Sequence, residues 1–266
     1  MLMSARLWSS ALLGLALLAA PLAAVAAEVQ WFGQSAFRIT TGDGKVILID
    51  PFITGNPKTP EELKDLGKIG PVDLILVTHG HGDHVGDTVK LAEMTGAKVA
   101  MNADLGTTFR LLGLVPSEQL IRFNKGGTIR PIGDGVAVTM VRAEHSSNFV
   151  HDDRNHPGGE PAGYIIALTD GPTLYHAGDT GVFSDMALIA ELYRPDVAFL
   201  PIGGHFVMDP AHAAFAVKTL LKTRIVVPMH YGTTPALKGT PEQFIDALGN
   251  YDGDIVVMQP GETRDF

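Results

Sequence analysis

The stretch LILVTHGHGDHVGD, residues 74–87, runs from apolar residues directly into three histidines and two aspartates. An unbroken apolar run predicts a buried strand, so these polar side chains stand at a strand end. On an extended chain, side chains two positions apart point to the same side, which lets His79 and His81 face one common point. Asp83 and His84 come just past the bend and can face a second point. The stretch therefore predicts a turn that binds metal.

The residue types in this stretch are those that divalent metals prefer. Neutral imidazole and carboxylate bind Zn²⁺ where no thiolate is offered, and the chain has no cysteine. The spacing differs from the i, i+4 histidine pair of a helical metal motif. Gly80 and Gly82 permit the tight path, because glycine accepts dihedral angles that other residues resist.

Polar residues also stand where other predicted strands end. They are Asp50 after VILI, His145 after VTMVRAE, Asp179 after TLYHAG and His230 after IVVPM. Sites in layered α/β proteins gather at such strand ends, so we expect these side chains at one edge. Hairpin signals dominate the first half of residues 28–266 and helix–strand alternation the second. This order predicts an α/β fold with sheets inside and helices outside.

Two further segments carry local predictions. TPEELKDLG, residues 59–67, predicts a helix with Thr59 as its cap and Pro60 at its first position. Residues 146–162 are polar and predict a long solvated loop, of the kind that can line a site.

Length and charge limit the classes of function. The chain has 266 residues and a formal net charge of −9, and we see no cluster of Lys and Arg. Phosphate backbones require such clusters, so nucleic acid is excluded as a general partner and a small-molecule substrate is expected. The sequence leaves the oligomeric state open.

The N-terminal residues have the order of a secretory signal peptide. Arg6 precedes the apolar run 11–20, and Ala24-Val25-Ala26 supplies the small-residue exit. We therefore divide the chain into a signal peptide, 1–27, and one domain, 28–266. The apolar run is shorter than the roughly 20 residues of a spanning helix, which favours cleavage over an uncleaved membrane anchor. A periplasmic or secreted protein with no stable membrane anchor is expected.

The motifs resemble those of the metallo-β-lactamase-fold hydrolases. THGHGDHVGD is similar to the T-H-x-H-x-D-H signature of that family, and AEHSS, HAGDT and MHYGT stand where the family places later ligands. LIDPFITGNP, YHAGDTGVFSDM, LPIGGHFVMDP and VVPMHYGT resemble a branch of metal-dependent hydrolases related to ascorbate-6-phosphate lactonase. The resemblance covers residues 28–266 and implies a four-layer αββα sandwich with the site on one edge.

The resemblance also implies two metal ions and a ligand for each position. The first ion would be held by His79, His81 and His145, the second by Asp83, His84 and His230, and Asp179 would bridge them. Asp50 is interpreted as orienting a ligand histidine, with a structural turn residue as the alternative.

These ligands predict hydrolytic chemistry. Two ions that share a water lower its pKa and supply hydroxide at neutral pH, which can attack a lactone, ester, amide or phosphodiester. Asp83 can accept a proton or orient the nucleophile. His205 follows a strand and two glycines, and can serve as an acid or oxyanion donor or have a structural role. Zn²⁺ fits the nitrogen and oxygen ligands best, and Mn²⁺ and Fe²⁺ fit them too.

Two other functions remain open at this point. An iron protein active in redox or oxygen chemistry could use the same ligands, and so could a metal-binding module without turnover. A closed ligand shell would favour the binding module and an open position would favour catalysis.

The remaining histidines have simpler interpretations. His176 is expected to be a hydrogen-bonded core residue and His212 a surface residue of a helix, while His151 and His156 lie in the polar segment 146–162. Gln34 stands where relatives often have His, and the sequence does not assign it a role.

Overall fold

The computed structural model describes residues 27–266. The predicted signal peptide, apart from Ala27, lies outside the described residues. Within the described part of the chain, no helix combines the length and the hydropathy that crossing a membrane requires.

Sixteen strands are formed within the described residues. In chain order they are β1 Glu28–Gly33, β2 Ala36–Thr40, β3 Val46–Ile49, β4 Leu74–Leu76, β5 Lys98–Asn102, β6 Leu120–Phe123, β7 Thr128–Ile129, β8 Val136–Arg142, β9 Asn148–His151, β10 Arg154–Pro157, β11 Ala162–Leu168, β12 Thr173–His176, β13 Val197–Pro201, β14 Ile225–Met229, β15 Asp254–Ile255 and β16 Thr263–Asp265. Seven form a sheet in the order β16-β1-β2-β3-β4-β5-β6, and seven form a second sheet in the order β15-β14-β13-β12-β11-β8-β7. β9 and β10 pair separately as a hairpin.

Six α-helices are formed between strands of the described residues. They are α1 Gly82–Val85, α2 Thr88–Thr95, α3 Ala103–Leu111, α4 Met186–Tyr193, α5 Pro210–Phe215, which continues as a π-helical segment Ala216–Leu221, and α6 Pro241–Leu248. Thr240 and Gln243 form a capping box at the start of α6, which is a local sequence signal for a helix N-terminus.

The two sheets pack face to face with helices outside. Alternate residues of a strand point to opposite faces, and β3 shows the result. Ile47 and Ile49 lie in the central core between the sheets. Val46 and Leu48 lie in an outer core that includes residues of α2 and α3. A third core lies between the second sheet and α4 to α6. The predicted αββα sandwich is confirmed.

Two local predictions are wrong. Residues 59–67 form two short 3₁₀ turns, Glu61–Leu63 and Leu66–Lys68, instead of one helix. The Thr59 hydroxyl donates to the carbonyl of Phe32 at 2.7 Å, so it does not cap the segment. The segment 146–162 contains the β9–β10 hairpin instead of a solvated loop. Phe149 of β9 is buried in the outer core, and its burial holds the segment against the rest of the protein.

The strands that precede the predicted site residues have a common direction within each sheet. β3 and β4 are parallel neighbours, and β12, β13 and β14 are parallel to one another. β8 and β12 are both antiparallel to β11 and so share a direction. Their carboxyl ends therefore lie at one edge of each sheet.

Candidate metal centre

Five strand ends deliver the predicted side chains to this edge. Asp50 directly follows β3, His79 stands three residues past β4, and His230 directly follows β14, while His145 and Asp179 follow β8 and β12. Asp83 and His84 lie in α1, whose first turn begins after His81. The stretch past Gly82 is thus one helical turn.

Three residues at this edge have left-handed backbone conformations. They are Gln34, Asp50 and His230, with φ values of 53°, 45° and 55°. Such conformations are uncommon for residues other than glycine and gather at functional sites. The backbone N–H of His230 donates to the carbonyl of Gln34 at 3.1 Å, and that of Asp50 donates to Leu76 at 2.9 Å. These bonds hold the turns that direct the side chains inward.

His79, His81 and His145 form the first group of possible ligands. Nε2 of His79 lies 2.8 Å from Nδ1 of His81. The ring of His145 lies 5.1 Å from each of the other two rings, measured between centroids. Three imidazoles thus face one small volume.

Asp83, His84 and His230 form a second group. Oδ2 of Asp83 lies 3.8 Å from Nε2 of His84 and 3.5 Å from Nε2 of His230. The two rings are buried, whereas the side chain of Asp83 is 37% exposed. This group therefore has an open side at Asp83.

Asp179 lies between the two groups. Its Oδ2 is 3.0 Å from Nε2 of His230, 3.3 Å from Nε2 of His84 and 3.6 Å from Nε2 of His145. The carboxylate is almost fully buried, and its Oδ1 has no hydrogen-bond partner. One oxygen thus faces histidines of both groups.

Thr78 and Asp50 fix the orientation of two of these rings. The Thr78 hydroxyl donates to Oδ2 of Asp50 at 2.7 Å, so it accepts from Nδ1 of His79, which lies 3.0 Å away. Oδ2 of Asp50 also lies 2.7 Å from Nδ1 of His84 and accepts from it. Both rings therefore hold a proton on Nδ1, which leaves Nε2 as the atom that a metal would bind.

Burial lowers the pKa of the three histidines of the first group. The pKa of His79 lies well below its ordinary value, first because the ring is fully buried and then because His84 is close. The pKa values of His81 and His145 are also lowered, with burial as the largest cause. All three rings are neutral at pH 7 and are available as ligands.

Carboxylates have the opposite effect on the second group. Burial alone would lower the pKa of His84, but the nearby carboxylates, first that of Asp179, raise it well above its ordinary value. Against the same effect of burial, Asp179 raises the pKa of His230 to about 9. Burial alone would raise the pKa of Asp179, but His230 and His84 hold it well below its ordinary value. Protons on these imidazoles thus balance buried negative charge, and a bound cation can replace them.

The residues fit divalent cations. Buried polar atoms without a hydrogen-bond partner cost free energy, and several such atoms belong to this cluster. They include Nε2 of His84, Oδ1 of Asp179 and Oε1 of Gln34. Nitrogen and oxygen donors without thiolate suit Zn²⁺, Mn²⁺ and Fe²⁺.

The β9–β10 hairpin lies against the histidine turn. The backbone N–H of Gly80 donates to the Ser147 hydroxyl at 3.1 Å. A Cβ at Gly80, between His79 and His81, would come within 2.6 Å of the carbonyl oxygen of Asn148. The segment whose role the sequence leaves open therefore borders the site.

His205 lies outside the groups of possible metal ligands that the described residues form. Its backbone has a φ of 61°, and its ring meets that of Phe206 edge to face, with centroids 4.3 Å apart. It lines a cavity of about 620 Å³ together with Lys238 and Asp209. Gly203, at the same cavity, packs against the backbone carbonyl of His230, so the cavity adjoins the main chain of that residue.

Gln34 is a residue to which the sequence assigned no role. Its side-chain nitrogen lies 2.8 Å from Oδ2 of Asp83 and 2.7 Å from Nε2 of His230. The residue is buried. The available sequence signal for a role of Gln34 was a polar residue after a glycine in the turn between two strands. Its contacts with Asp83 and His230, however, depend on how the two sheets pack.

His176 and His212 lie where the sequence predicts, whereas His151 and His156 lie in a hairpin instead of the predicted loop. His176 is buried, and its Nε2 donates to the carbonyl of Ser35 at 3.0 Å while its Nδ1 accepts from Gly178. His212 is exposed on α5. His151 and His156 lie in the β9–β10 hairpin and are half-buried.

Known proteins match this chain in sequence and in fold. Residues 45–231 match a family model described as a beta-lactamase superfamily domain. A UPF0173 metal-dependent hydrolase of Cupriavidus necator is 51% identical over 248 residues, which cover 90% of this chain and 86% of that protein. Another, of Polaromonas sp., is 50% identical over 245 residues, covering 90% and 89%. A solved metallo hydrolase of the hyperthermophilic archaeon Ignicoccus hospitalis is 39% identical, with a TM-score of 0.79 and coverage of 91% and 98%.

Proposed function

The chain belongs to the UPF0173 metal-dependent hydrolases of the beta-lactamase superfamily, and on that basis we propose that it is a secreted hydrolase that uses two divalent ions. The observation that carries the proposal is the position of Asp179. Its Oδ2 lies within 3.6 Å of histidines from both ligand groups. A carboxylate has two oxygens and can therefore connect two ions where an imidazole nitrogen serves only one.

The proposed ligand sets follow the two groups. His79, His81 and His145 hold one ion, Asp83, His84 and His230 hold the other, and Asp179 bridges them. Zn²⁺ is the proposed metal at the first position, since three imidazoles and a carboxylate suit it. When bound, such ions polarise a substrate oxygen and lower the pKa of water toward neutrality.

Asp83 has the position of a proton acceptor. Burial alone would raise its pKa, but His84 and His230 hold the pKa of this carboxyl below its ordinary value. It is therefore ionised at neutral pH, and it is the partly exposed member of its group. From there it can orient a water molecule or take a proton from it. This open side also favours turnover over simple metal storage.

His205 is proposed to contact the substrate. It lines the cavity that adjoins the main chain of His230, and Lys238 and Gln243 line the same cavity. An imidazole N–H there can donate to a leaving group or to a developing oxyanion. Replacement by Asn keeps one donor and should retain more turnover than replacement by Ala, with bound metal unchanged in both variants.

The proposed substrates are lactones, esters, amides and phosphodiesters of small molecules. The motif resemblance to ascorbate-6-phosphate lactonase makes lactones the first class to screen. A net charge of −9 opposes a polyanionic nucleic acid. Export to the periplasm through the predicted signal peptide, 1–27, completes the proposal. Cell fractionation and N-terminal sequencing of the mature protein test that part.

The test of the function joins metal analysis with a substrate screen. The purified protein should contain about two metal ions per chain, measured by elemental analysis, and should hydrolyse at least one of a panel of lactones, β-lactams and phosphodiesters. Removal of the ions by a chelator should abolish turnover, and Zn²⁺ or Mn²⁺ should restore it. A protein that binds one ion or none under saturating metal would contradict the dinuclear proposal.

A further inference from the structure

We propose that Gln34 is an additional ligand of the second ion, binding it through its side-chain oxygen. The inference rests on the proposed dinuclear function and adds a residue that the predicted ligand set does not contain. It identifies the second position as richer in oxygen donors than the first.

The backbone of Gln34 is fixed in place at the site. Its carbonyl accepts from Nε1 of Trp31 at 3.1 Å and from the backbone N–H of His230 at 3.1 Å. The residue stands in the turn between β1 and β2 with a φ of 53°. A bond from a proposed ligand histidine on one side and from the Trp31 indole on the other fixes the backbone from which the side chain extends.

The end of that side chain lies close to two possible metal-ligand atoms of the second group. Its terminal nitrogen is 2.8 Å from Oδ2 of Asp83 and 2.7 Å from Nε2 of His230, and those two atoms are 3.5 Å apart. Ligands bound to one ion at about 2.1 Å are separated by about 3.0 Å at right angles and about 3.4 Å in a tetrahedron. The amide is thus within a few tenths of an ångström of a ligand position.

The oxygen of the same amide is buried without a hydrogen-bond partner. The two ends of an amide have nearly the same shape, so half a turn about the last side-chain bond exchanges them. Beside the carboxylate of Asp83 alone, the nitrogen end is favoured because it donates. Beside a cation held by Asp83, the oxygen end is favoured because it carries the partial negative charge.

An amide ligand would make the two metal positions differ in preference. The first position has three imidazoles and a share of Asp179. The second would have the oxygens of Asp83, Asp179 and Gln34 beside two imidazoles. A position with more oxygen donors suits Mn²⁺ better than a position with fewer. We therefore expect the preference for Zn²⁺ over Mn²⁺ to be smaller at the second position than at the first.

Calorimetric titration of the metal-free protein with Zn²⁺ and with Mn²⁺ tests the proposal. Gln34→Ala should leave the first binding step unchanged and weaken the second about 10–100-fold. Gln34→Glu should bind the second ion at least as tightly as the unmodified protein, because it offers an anionic oxygen at the same place. Gln30→Ala is the matched control, since Gln30 lies on β1 and donates to Gly261 away from the site. The optical spectrum of the Co²⁺-loaded protein provides an independent measure of ligand number at the second position.

The Glu variant separates a ligand from a hydrogen-bond donor. If Gln34 acts only by donating to Asp83, an ionised Glu repels that carboxylate and the second ion binds more weakly than in Gln34→Ala. That result, or unchanged second-step affinity in Gln34→Ala, overturns the proposal while leaving two ions in place. If the unmodified protein binds only one ion, the dinuclear function itself fails and this inference fails with it.

Discussion

Oδ2 of Asp50 lies 2.7 Å from Nδ1 of His84, and both side chains are fully buried. Asp50 also accepts from the backbone N–H of Thr78 through its other oxygen, at 2.8 Å. Both carboxylate oxygens therefore act as acceptors. The pair holds the His84 ring with its Nε2 directed to Asp179, 3.3 Å away.

Asp50→Asn should reduce metal affinity about 10–100-fold. The Asn oxygen can accept from Thr78, but its NH₂ group then faces Nδ1 of His84. That contact favours the tautomer with the proton on Nε2, where the lone pair is needed for a metal. Calorimetric titration checks the result, with exposed Asp246→Asn on α6 as the control. Equal affinity in the Asp50 and Asp246 variants would show that Asp50 is only a structural turn residue.

Removal of a proposed ligand should abolish both bound metal and turnover. His81→Ala opens the first group, and Asp179→Ala removes the carboxylate that faces both groups. His212→Ala is the matched histidine control, because His212 is exposed on α5. Elemental analysis and a hydrolysis assay on the same preparations measure the outcome. Normal turnover in either ligand variant would mean that the ligand assignment is wrong.

Gly80→Ala should destabilise the protein by about 1–3 kcal/mol, because an added methyl group overpacks the contact between the histidine turn and the hairpin. The new Cβ would lie 2.6 Å from the carbonyl oxygen of Asn148. Gly82→Ala is a close control, since a Cβ there meets nothing within 4 Å and alanine favours the helical turn. Thermal unfolding of the two variants measures the difference. A similar melting temperature for both would show that the hairpin moves without cost.

Thr78→Val should cost about 1–3 kcal/mol of stability, because it leaves buried partners without a hydrogen bond. The lost hydroxyl donates to Asp50 and accepts from His79. Thr88→Val, in contrast, removes a buried hydroxyl that has no partner and should be neutral or stabilising. Chemical denaturation of both variants tests the contrast. The reverse order of stability would refute the hydrogen-bond assignment at Thr78.

The stability of the protein should fall in acid partly through Asp73. Burial alone would raise the pKa of this carboxyl, but the backbone N–H of Val46 and the ammonium of Lys45 outweigh it and lower the pKa below its ordinary 3.8. A group with a lowered folded-state pKa stabilises the protein above the ordinary value, and the contribution is lost as the pH falls through the folded-state pKa. Asp73→Asn should therefore be less stable at neutral pH and show a flatter loss below about pH 4. Denaturation midpoints measured across this pH range check the result, with Asp246→Asn as control. Parallel curves for the Asp73 variant and the unmodified protein would contradict the expectation.

The sequence predicted the sandwich and the sheet edge at which most of the site residues lie. The reason is that its signals are local. An apolar run followed by His79, Gly80 and His81 specifies a buried strand, a tight turn and two side chains on one side. The ends of other strands specify further polar residues in the same way.

Local signals failed where a distant partner decided the conformation. Thr59 has the sequence of a helix cap, but its hydroxyl bonds to Phe32 and the segment forms 3₁₀ turns instead. Phe149 lies in a polar segment that predicts a loop, yet its burial in the outer core supports a hairpin.

The sequence by itself determined the residue types of this site and the strand ends that carry them, because strand periodicity and glycine turns depend on neighbouring residues alone. Only the tertiary structure decided that the amide of Gln34 meets His230, a residue 196 positions away. The same holds for Asp50, which meets a histidine 34 positions later. Those contacts arise from strand pairing and from the packing of two sheets, and these bring together residues whose separation along the chain carries no local signal.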